Sequence, residues 1–303
     1  MSANTMRQPV TIEAPTRAGP APPRVEARSR AGGSGIAMSM RELELPNGVR
    51  LPFVEQGERS GVPVLLLHGY TDSWRSFEGV LAHLPNSVHA CALTFRGHGN
   101  AERPLEGYRT ADFARDVAAF MDGLDLGQAV IVGHSMGSYV AQRFAIEHPE
   151  RTLGLVLMGS FPTMRGNPVI SALGESVSEL VDPIDRDFAL DFQLSTLARP
   201  VPPALLETVV QESLKVPARI WKAALRGPLQ DDHAADLGRI RAPTLIVWGD
   251  RDAIFGRRDQ DTLAAAIPGA RLLVYPGAGH AFHWEAPECF AADLVAFVES
   301  VAS

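Results

Sequence analysis

The sequence VIVGHSMGSYVAQRFA occupies residues 130–145. Its first three residues are apolar and β-branched, as in a buried strand, and an amphipathic helix is predicted to begin at Met136. Only the turn GHSMG, residues 133–137, separates the two elements. So tight a turn places Ser135 in a strained conformation at the carboxyl edge of a sheet. This position suits a nucleophile, because the N-terminus of a helix favours developing negative charge.

Strands and helices alternate on both sides of this turn. Residues 41–45 and 50–55 alternate in polarity around Pro46-Asn47-Gly48 and predict a hairpin. The remaining pattern predicts strands over 64–67, 88–93, 129–133, 153–158, 244–248 and 271–275, and helices over 73–84, 109–125, 136–147, 259–266 and 287–300. Alternation at this spacing predicts an α/β fold with a mostly parallel central sheet flanked by helices.

One long segment interrupts the alternation. Residues 160–238 contain helical patterns and prolines but no strand-like run, and they far exceed the ~2–6 residues of a typical connection in such folds. We therefore predict an inserted helical cap over 160–238, with the core formed by 39–159 and 239–303. Residues 1–38 are rich in Pro, Gly and Arg and lack an apolar stretch, which predicts a disordered N-terminal tail rather than a signal peptide.

A serine nucleophile needs a base, and the base needs a carboxylate that orients it. The sequence TLIVWGDRDAI, residues 244–254, is a strand that enters a turn with Asp250 and Asp252. The sequence LLVYPGAGHAFHWEAPE, residues 272–288, is a strand followed by a glycine-rich loop with His280. The order serine, aspartate, histidine is the one expected after a nucleophile turn of this kind.

Five motifs in order make residues 41–301 resemble an α/β-hydrolase with a helical cap. They are HGYTDSW (68–74), FRGHGNAERP (95–104), GHSMG (133–137), WGDRDAI (248–254) and GAGHAFHWEAPE (277–288). The resemblance is to the serine-nucleophile branch of esterases, lactonases and perhydrolases. It implies the roles of nucleophile for Ser135, acid for Asp252 and base for His280.

Alternatives and departures accompany these assignments. Asp250 competes with Asp252 for the role of the acid, and His283 competes with His280 for that of the base. The chain departs from the pattern of similar proteins at Thr94, where an aspartate is usual, and at Ser138, where a small residue is usual. Both departures are expected to change loop packing near the site.

Acyl transfer also requires hydrogen-bond donors for the oxyanion. The backbone N–H groups of Met136, directly after the nucleophile, and of Tyr70, in the loop after the strand 64–67, are predicted to supply them. Three further histidines of the motifs are predicted to brace the surrounding loops through hydrogen bonds: His68, His98 and His134.

The serine itself indicates the chemistry. Similar proteins that open epoxides or displace halides have a carboxylate at this turn, so Ser135 favours an acyl-enzyme intermediate. We predict a serine hydrolase that cleaves a carboxylic ester or lactone. Hydrolysis of thioesters, amides or C–C bonds and cofactor-free perhydrolysis use the same residues and stay open. The alternative from another class is a ligand-sensing protein with slow turnover.

Apolar residues of the 160–238 segment predict a substrate with an apolar moiety. We expect most of them to pack the helices of the segment against one another and the rest to line a pocket. They are Phe161, Ile170, Leu173, Phe188, Phe192, Leu194, Ile220 and Trp221.

Composition restricts the partners. The net charge of −7 is spread along the chain, which predicts no nucleic-acid partner, and the resemblance implies a small-molecule substrate. No run reaches the ~18 apolar residues of a membrane span. Cys91 and Cys289 form neither a disulfide framework nor a metal set, so we expect no cofactor, no metal and a reducing, cytoplasmic location. The sequence is compatible with a homo-oligomer.

Overall fold

The computed structural model describes residues 39–302, so the predicted N-terminal tail, residues 1–38, lies outside the described residues. Within them, eight strands form one sheet. The strands are β1 (Ser39–Glu44), β2 (Arg50–Gln56), β3 (Val62–Leu67), β4 (Val88–Leu93), β5 (Ala129–His134), β6 (Thr152–Met158), β7 (Thr244–Gly249) and β8 (Arg271–Tyr275).

The strand order in the sheet is β1-β2-β4-β3-β5-β6-β7-β8. Strand β2 pairs antiparallel with β1 and β4, and every other pair is parallel. The predicted α/β fold with a mostly parallel sheet is therefore confirmed. The nucleophile turn follows β5, in the middle of the sheet, where both faces of the strand are covered.

The helices are α1 (Glu78–Leu81), α2 (Thr110–Gly123), α3 (Met136–Glu147), α4 (Pro168–Ser178), α5 (Arg186–Leu194), α6 (Pro203–Leu214), α7 (Ala218–Gln230), α8 (Arg257–Ala266), α9 (Phe282–Glu285) and α10 (Pro287–Val301). The helix predicted over 73–84 is instead a 3₁₀ turn, Trp74–Phe77, followed by the short α1. The Ser73 hydroxyl accepts a hydrogen bond from the Arg75 N–H and caps that tight first turn. None of the helices in residues 39–302 is both long and apolar enough to cross a membrane.

The apolar strands serve two separate cores. Leu65, Leu67 and Ile131 point to one face of the sheet, whereas Val64 and Val130 point to the other. This alternation follows from the two-residue period of a strand. It explains why the central strands are apolar along their whole length, as parallel strands covered on both faces are.

Helices α4–α7 lie between β6 and β7, and no strand occurs among the described residues 159–243. Helix α5 packs on α6, and α4 packs on α7. The segment predicted as the cap thus consists of helices joined by loops.

Candidate active site

Ser135 occupies a strained turn between β5 and α3. Its φ of 51° and ψ of −116° lie in a region that residues other than glycine rarely adopt. The Ser135 N–H donates to the Met158 carbonyl at 2.9 Å, and the Ser138 hydroxyl donates to the Ser135 carbonyl at 2.6 Å. These two hydrogen bonds hold the backbone in the strained geometry.

The two glycines of the turn permit close contact with neighbouring backbone. A Cβ atom on Gly133 would overlap the carbonyl oxygen of Gly137, and a Cβ atom on Gly137 would overlap the carbonyl oxygen of Leu67. Any larger residue at either position would push α3 away from the sheet. Steric crowding therefore requires glycine at both ends of the motif GHSMG.

His280 and Asp252 form a buried pair. The His280 Nδ1 lies 2.8 Å from the Asp252 Oδ2, and the Asp252 side chain has no exposed surface. The other carboxylate oxygen accepts the backbone N–H groups of Ile254 at 2.8 Å and Phe255 at 3.0 Å. With these three donors the orientation of the carboxylate is fixed, and it can hold the His280 ring in one tautomer.

The structure places the two rival residues elsewhere. The Asp250 Oδ1 accepts the backbone N–H of Gly277 at 2.5 Å and so joins the two turns that follow β7 and β8. The His283 Nε2 lies 3.2 Å from the Ser76 hydroxyl. Neither residue takes part in the pair formed by Asp252 and His280.

The histidines predicted to brace the loops make such hydrogen bonds. The His68 Nδ1 donates to the Gly69 carbonyl, 2.7 Å away, while its Nε2 accepts the Phe95 N–H at 3.0 Å. The His98 Nδ1 lies 2.9 Å from the Arg96 carbonyl oxygen. Burial lowers the pKa of His68 well below its usual value and that of His98 to about 4. Both rings are therefore neutral at pH 7.

Four of the five positions predicted for catalysis border one cavity. Ser135 and His280 line it together with Tyr70 and Met136, the predicted oxyanion donors. Asp252 lies behind His280 and does not belong to the lining. The lining is mostly apolar with a few polar groups, as in sites that bind small molecules.

Half of the apolar residues named from the sequence also line this cavity. They are Phe161, Ile170, Leu173 and Phe192; the others, Phe188, Leu194, Ile220 and Trp221, do not. Ile220 and Trp221 are fully buried in the core, and Leu194 is largely exposed. Fewer of the eight residues than expected therefore pack the helical segment without lining the cavity.

Three consecutive residues tie the loop after β3 to the helical segment. The Tyr70 hydroxyl donates to the Trp221 carbonyl at 2.5 Å, and the Thr71 hydroxyl lies 3.0 Å from that of Ser213. Gln193 donates to the Asp72 carboxylate at 3.1 Å. These contacts fix the loop that carries the predicted oxyanion donor.

Asp72 is a cavity residue that the sequence analysis missed. Its side chain lines the cavity and is buried. Burial raises the pKa of its carboxyl to about 7, although hydrogen bonds from Gln193 and Ser76 lower it in part. The only available signal was its place in the HGYTDSW motif, which gives no indication of burial.

The substitution Asp72→Asn is expected to change how stability depends on pH. The folded protein binds the Asp72 proton more tightly than the unfolded chain does. The resulting contribution to the free energy of unfolding is complete below the ordinary pKa of 3.8 and is lost as the pH rises towards about 7. Asparagine does not ionise. The melting temperature of the variant relative to the wild type should therefore rise by several degrees over this interval. Thermal unfolding at a series of pH values checks this, and a constant offset would contradict it.

The two departures from the family pattern have local structural roles. The Thr94 hydroxyl accepts the Trp74 N–H at 3.2 Å, at the start of the 3₁₀ turn. The Ser138 hydroxyl, besides its bond to Ser135, lies 2.8 Å from the Ser160 hydroxyl. Both side chains thus brace the loops around the cavity.

Glu55, His89 and Cys91 form a cluster whose ligand atoms lie within 4.8 Å of one another. Burial raises the pKa of Glu55, but hydrogen bonds from His89 and two arginines outweigh this effect and lower the pKa to about 2. Burial raises the pKa of the Cys91 thiol to about 12. The Glu55 carboxylate is paired with Arg41, Arg59 and His89, so these contacts already account for the cluster.

Comparisons with known proteins agree with the fold. Residues 64–293 match the model of the alpha/beta hydrolase family. The 2-hydroxymuconate semialdehyde hydrolase of Pseudomonas putida is 33% identical over 273 residues, which cover 83% of this chain and 91% of the relative. The pimeloyl-[acyl-carrier protein] methyl ester esterase of Neisseria meningitidis is 29% identical over 258 residues, 80% of this chain and 97% of the relative.

A solved structure shares the architecture. The esterase from Exiguobacterium antarcticum superposes with a TM-score of 0.77 at 22% sequence identity, over 85% of this chain and 98% of that one. At this identity the likeness concerns the fold alone. The family match covers most of the chain. The eight-stranded, mostly parallel sheet of the described residues matches the fold of the superposed esterase. The chain belongs to the alpha/beta hydrolase family.

Proposed function

We propose that the protein is a serine hydrolase that cleaves a neutral carboxylic ester or lactone with an apolar moiety. One observation carries the proposal: Ser135, held on a strained turn, and His280, paired with the buried Asp252, line the same cavity. A hydroxyl, an imidazole and a carboxylate in this relation support nucleophilic acyl transfer.

The reaction would proceed in two steps. His280 takes the Ser135 proton while the Ser135 oxygen attacks the carbonyl carbon, and the resulting oxyanion is stabilised by the N–H groups of Met136 and Tyr70. His280 then protonates the leaving alcohol, which leaves an acyl group on Ser135. Water, deprotonated by His280, attacks the acyl group, and the acid departs as Ser135 recovers its proton. Asp252 stabilises the imidazolium in both steps.

The cavity favours a neutral, largely apolar substrate. Its lining includes Phe161, Leu173 and Phe255, and among the described residues neither an arginine nor a lysine contributes to it. The burial of an anion without a counter-charge is costly. An ester or lactone with a hydrocarbon portion avoids this cost.

We propose that residues 160–238 act as a cap that selects the substrate. Half of the cavity lining comes from this segment, for example Phe161, Phe192 and Leu225. The core contributes Ser135 and His280. The chemistry and the choice of substrate thus belong to different parts of the chain.

Hydrolysis of a C–C bond is the second candidate. It is favoured by the 33% identity with the 2-hydroxymuconate semialdehyde hydrolase. A muconate semialdehyde carries a carboxylate, however, and the described lining offers no cationic side chain. The charge of the cavity therefore favours the ester or lactone.

A substrate panel tests the proposal. Neutral alkyl esters and lactones, thioesters and carboxylate-bearing diketones are compared by kcat/KM on the wild type and on Ser135→Ala. We expect the neutral esters or lactones to exceed the anionic substrates by about tenfold or more, which corresponds to about 1.4 kcal/mol. Turnover of the anionic diketones alone would reverse the order of the two candidates. A large rise in melting temperature with esters but no turnover would indicate a ligand sensor instead.

A further inference from the structure

Thr71 has a backbone conformation that its side chain disfavours. In the described part of the chain, the residues other than glycine with a positive φ are Thr71, at 64°, Asp125 and Ser135. Thr71 is the β-branched one among them, and a β-branched residue at positive φ is strained. Strained residues persist only where the surrounding structure holds them, and they cluster at active sites. Thr71 directly follows Tyr70, one of the two proposed oxyanion donors, so its strain has a place in the chemistry.

The strain belongs to a tight turn over residues 69–72. The Asp72 N–H donates to the Gly69 carbonyl at 3.3 Å and closes this turn, with Thr71 as its third residue. Turns that have a positive φ at the third residue but not at the second usually have glycine or asparagine there. With a negative φ at the third residue, the peptide group between the second and third residues turns over, which changes the backbone at Tyr70. The conformation of Thr71 therefore controls where the Tyr70 N–H lies.

The helical segment holds Thr71 in this conformation. Thr71 is fully buried, and its hydroxyl lies 3.0 Å from the hydroxyl of Ser213 on α6. Gln193 on α5 donates to the same Ser213 hydroxyl at 2.8 Å and so fixes its position. Glycine adopts a positive φ without such support, whereas threonine needs a contact of this kind.

We propose that Thr71 and Ser213 are positioning residues for the reaction: their hydrogen bond keeps the turn in its strained form and thereby holds the Tyr70 N–H at the oxyanion. This inference rests on the proposed function. The reacting groups all belong to the core, but Ser213 acts on the rate from the cap, although it lies outside the cavity lining.

The pair Thr71→Val and Thr71→Gly separates strain from volume. Valine keeps the branched shape but loses the hydroxyl, so the turn should relax and kcat for 4-nitrophenyl butyrate should fall by about tenfold. Complete loss of an oxyanion donor costs ~10²–10³-fold, and a displaced donor should cost less. Glycine also loses the hydroxyl but adopts a positive φ freely, so its kcat should exceed that of Thr71→Val by about threefold or more. A purely structural role predicts the reverse order, because glycine leaves the larger void.

The division of the effect between kcat and KM identifies the step concerned. The negative charge on the oxygen develops only as the ester is attacked, so KM should stay within about twofold of the wild type while kcat falls. Ser213→Ala removes the same hydrogen bond from the side of the cap and should give a similar loss of kcat. Adding Thr71→Gly to Ser213→Ala should recover most of that loss.

Thr208→Val is the matched control. Thr208 lies on the same helix as Ser213, is exposed, and donates its hydroxyl to the Ala204 carbonyl within that helix. It does not line the cavity. This variant should therefore keep the kcat and KM of the wild type.

The outcomes separate the two proposals. If Thr71→Val is as fast as the wild type, if Thr71→Gly is the slower of the pair, or if only KM changes, the role of Thr71 and Ser213 is overturned while the ester hydrolase stands. If thermal unfolding shows that Thr71→Val does not fold, the comparison of Ser213→Ala with its double variant decides in the same way. If the wild type cleaves neither this ester nor those of the panel above, the proposed function fails, and the inference fails with it.

Discussion

Ser135→Ala should lower the turnover rate by about 10⁶-fold, as the loss of the nucleophile does in a well-studied serine protease. The reason is that without the Ser135 oxygen no acyl-enzyme forms, and His280 has no proton to remove. The fold should persist, because both hydrogen bonds that hold the turn involve the Ser135 backbone. Alanine makes the same two bonds at the same positive φ.

Covalent labelling measures the effect directly. A fluorophosphonate probe should label the wild type once, at Ser135, and should not label Ser135→Ala. Ser178→Ala serves as the control, since Ser178 is an exposed serine at the end of α4 and its loss should leave labelling intact. Persistent labelling of Ser135→Ala would show that another residue is the nucleophile.

Asp252→Asn should lower kcat by about 10⁴-fold, the loss seen for the same change in a comparable triad. The Oδ1 of asparagine can keep the backbone N–H groups of Ile254 and Phe255, so the amide nitrogen must face the His280 Nδ1. That nitrogen donates, which forces the ring to carry its proton on Nε2, towards Ser135. In this tautomer His280 cannot accept the proton of the serine.

Asp250→Asn is the matched control on the same turn. Asp250 accepts the Gly277 N–H, and the oxygen of an asparagine accepts it equally well, so activity should stay within a few-fold of the wild type. Steady-state kinetics together with thermal unfolding of both variants separate catalysis from stability. A catalytically dead Asp250→Asn beside an active Asp252→Asn would reverse the assignment.

Most of the fold follows from short stretches of sequence. The observed β4, α3 and β8 have the residues that the pattern predicts, and the other strands differ by one or two residues at their ends. Such elements depend on apolar periodicity and on local turn chemistry, which neighbouring residues determine. Two helices differ more: the first predicted helix is a 3₁₀ turn, capped by Ser73, and a single turn of α-helix, and the short α9 was not predicted.

The contacts that neighbouring polar side chains make needed the tertiary structure. Asp250 and Asp252 lie two residues apart, and His280 and His283 three, so spacing alone left both pairs open. The turn after β7 directs Asp252 to the buried ring of His280 and Asp250 to the backbone of Gly277. These directions depend on how the loops after β7 and β8 pack against each other.

The sequence by itself determined the α/β architecture, the strained serine and the order of the three polar residues. The reason is that neighbouring residues encode each of the strands, helices and turns concerned. Only the tertiary structure decided which side chains border the cavity. Asp72 and Gln193 are 121 residues apart and meet because α5 packs over the loop after β3. Likewise, helical periodicity places Phe192 and Trp221 on apolar faces, but it does not indicate that Phe192 lines the cavity and Trp221 does not. Contacts of this kind arise from the packing of distant segments, and a local pattern contains no information about what an apolar face will meet.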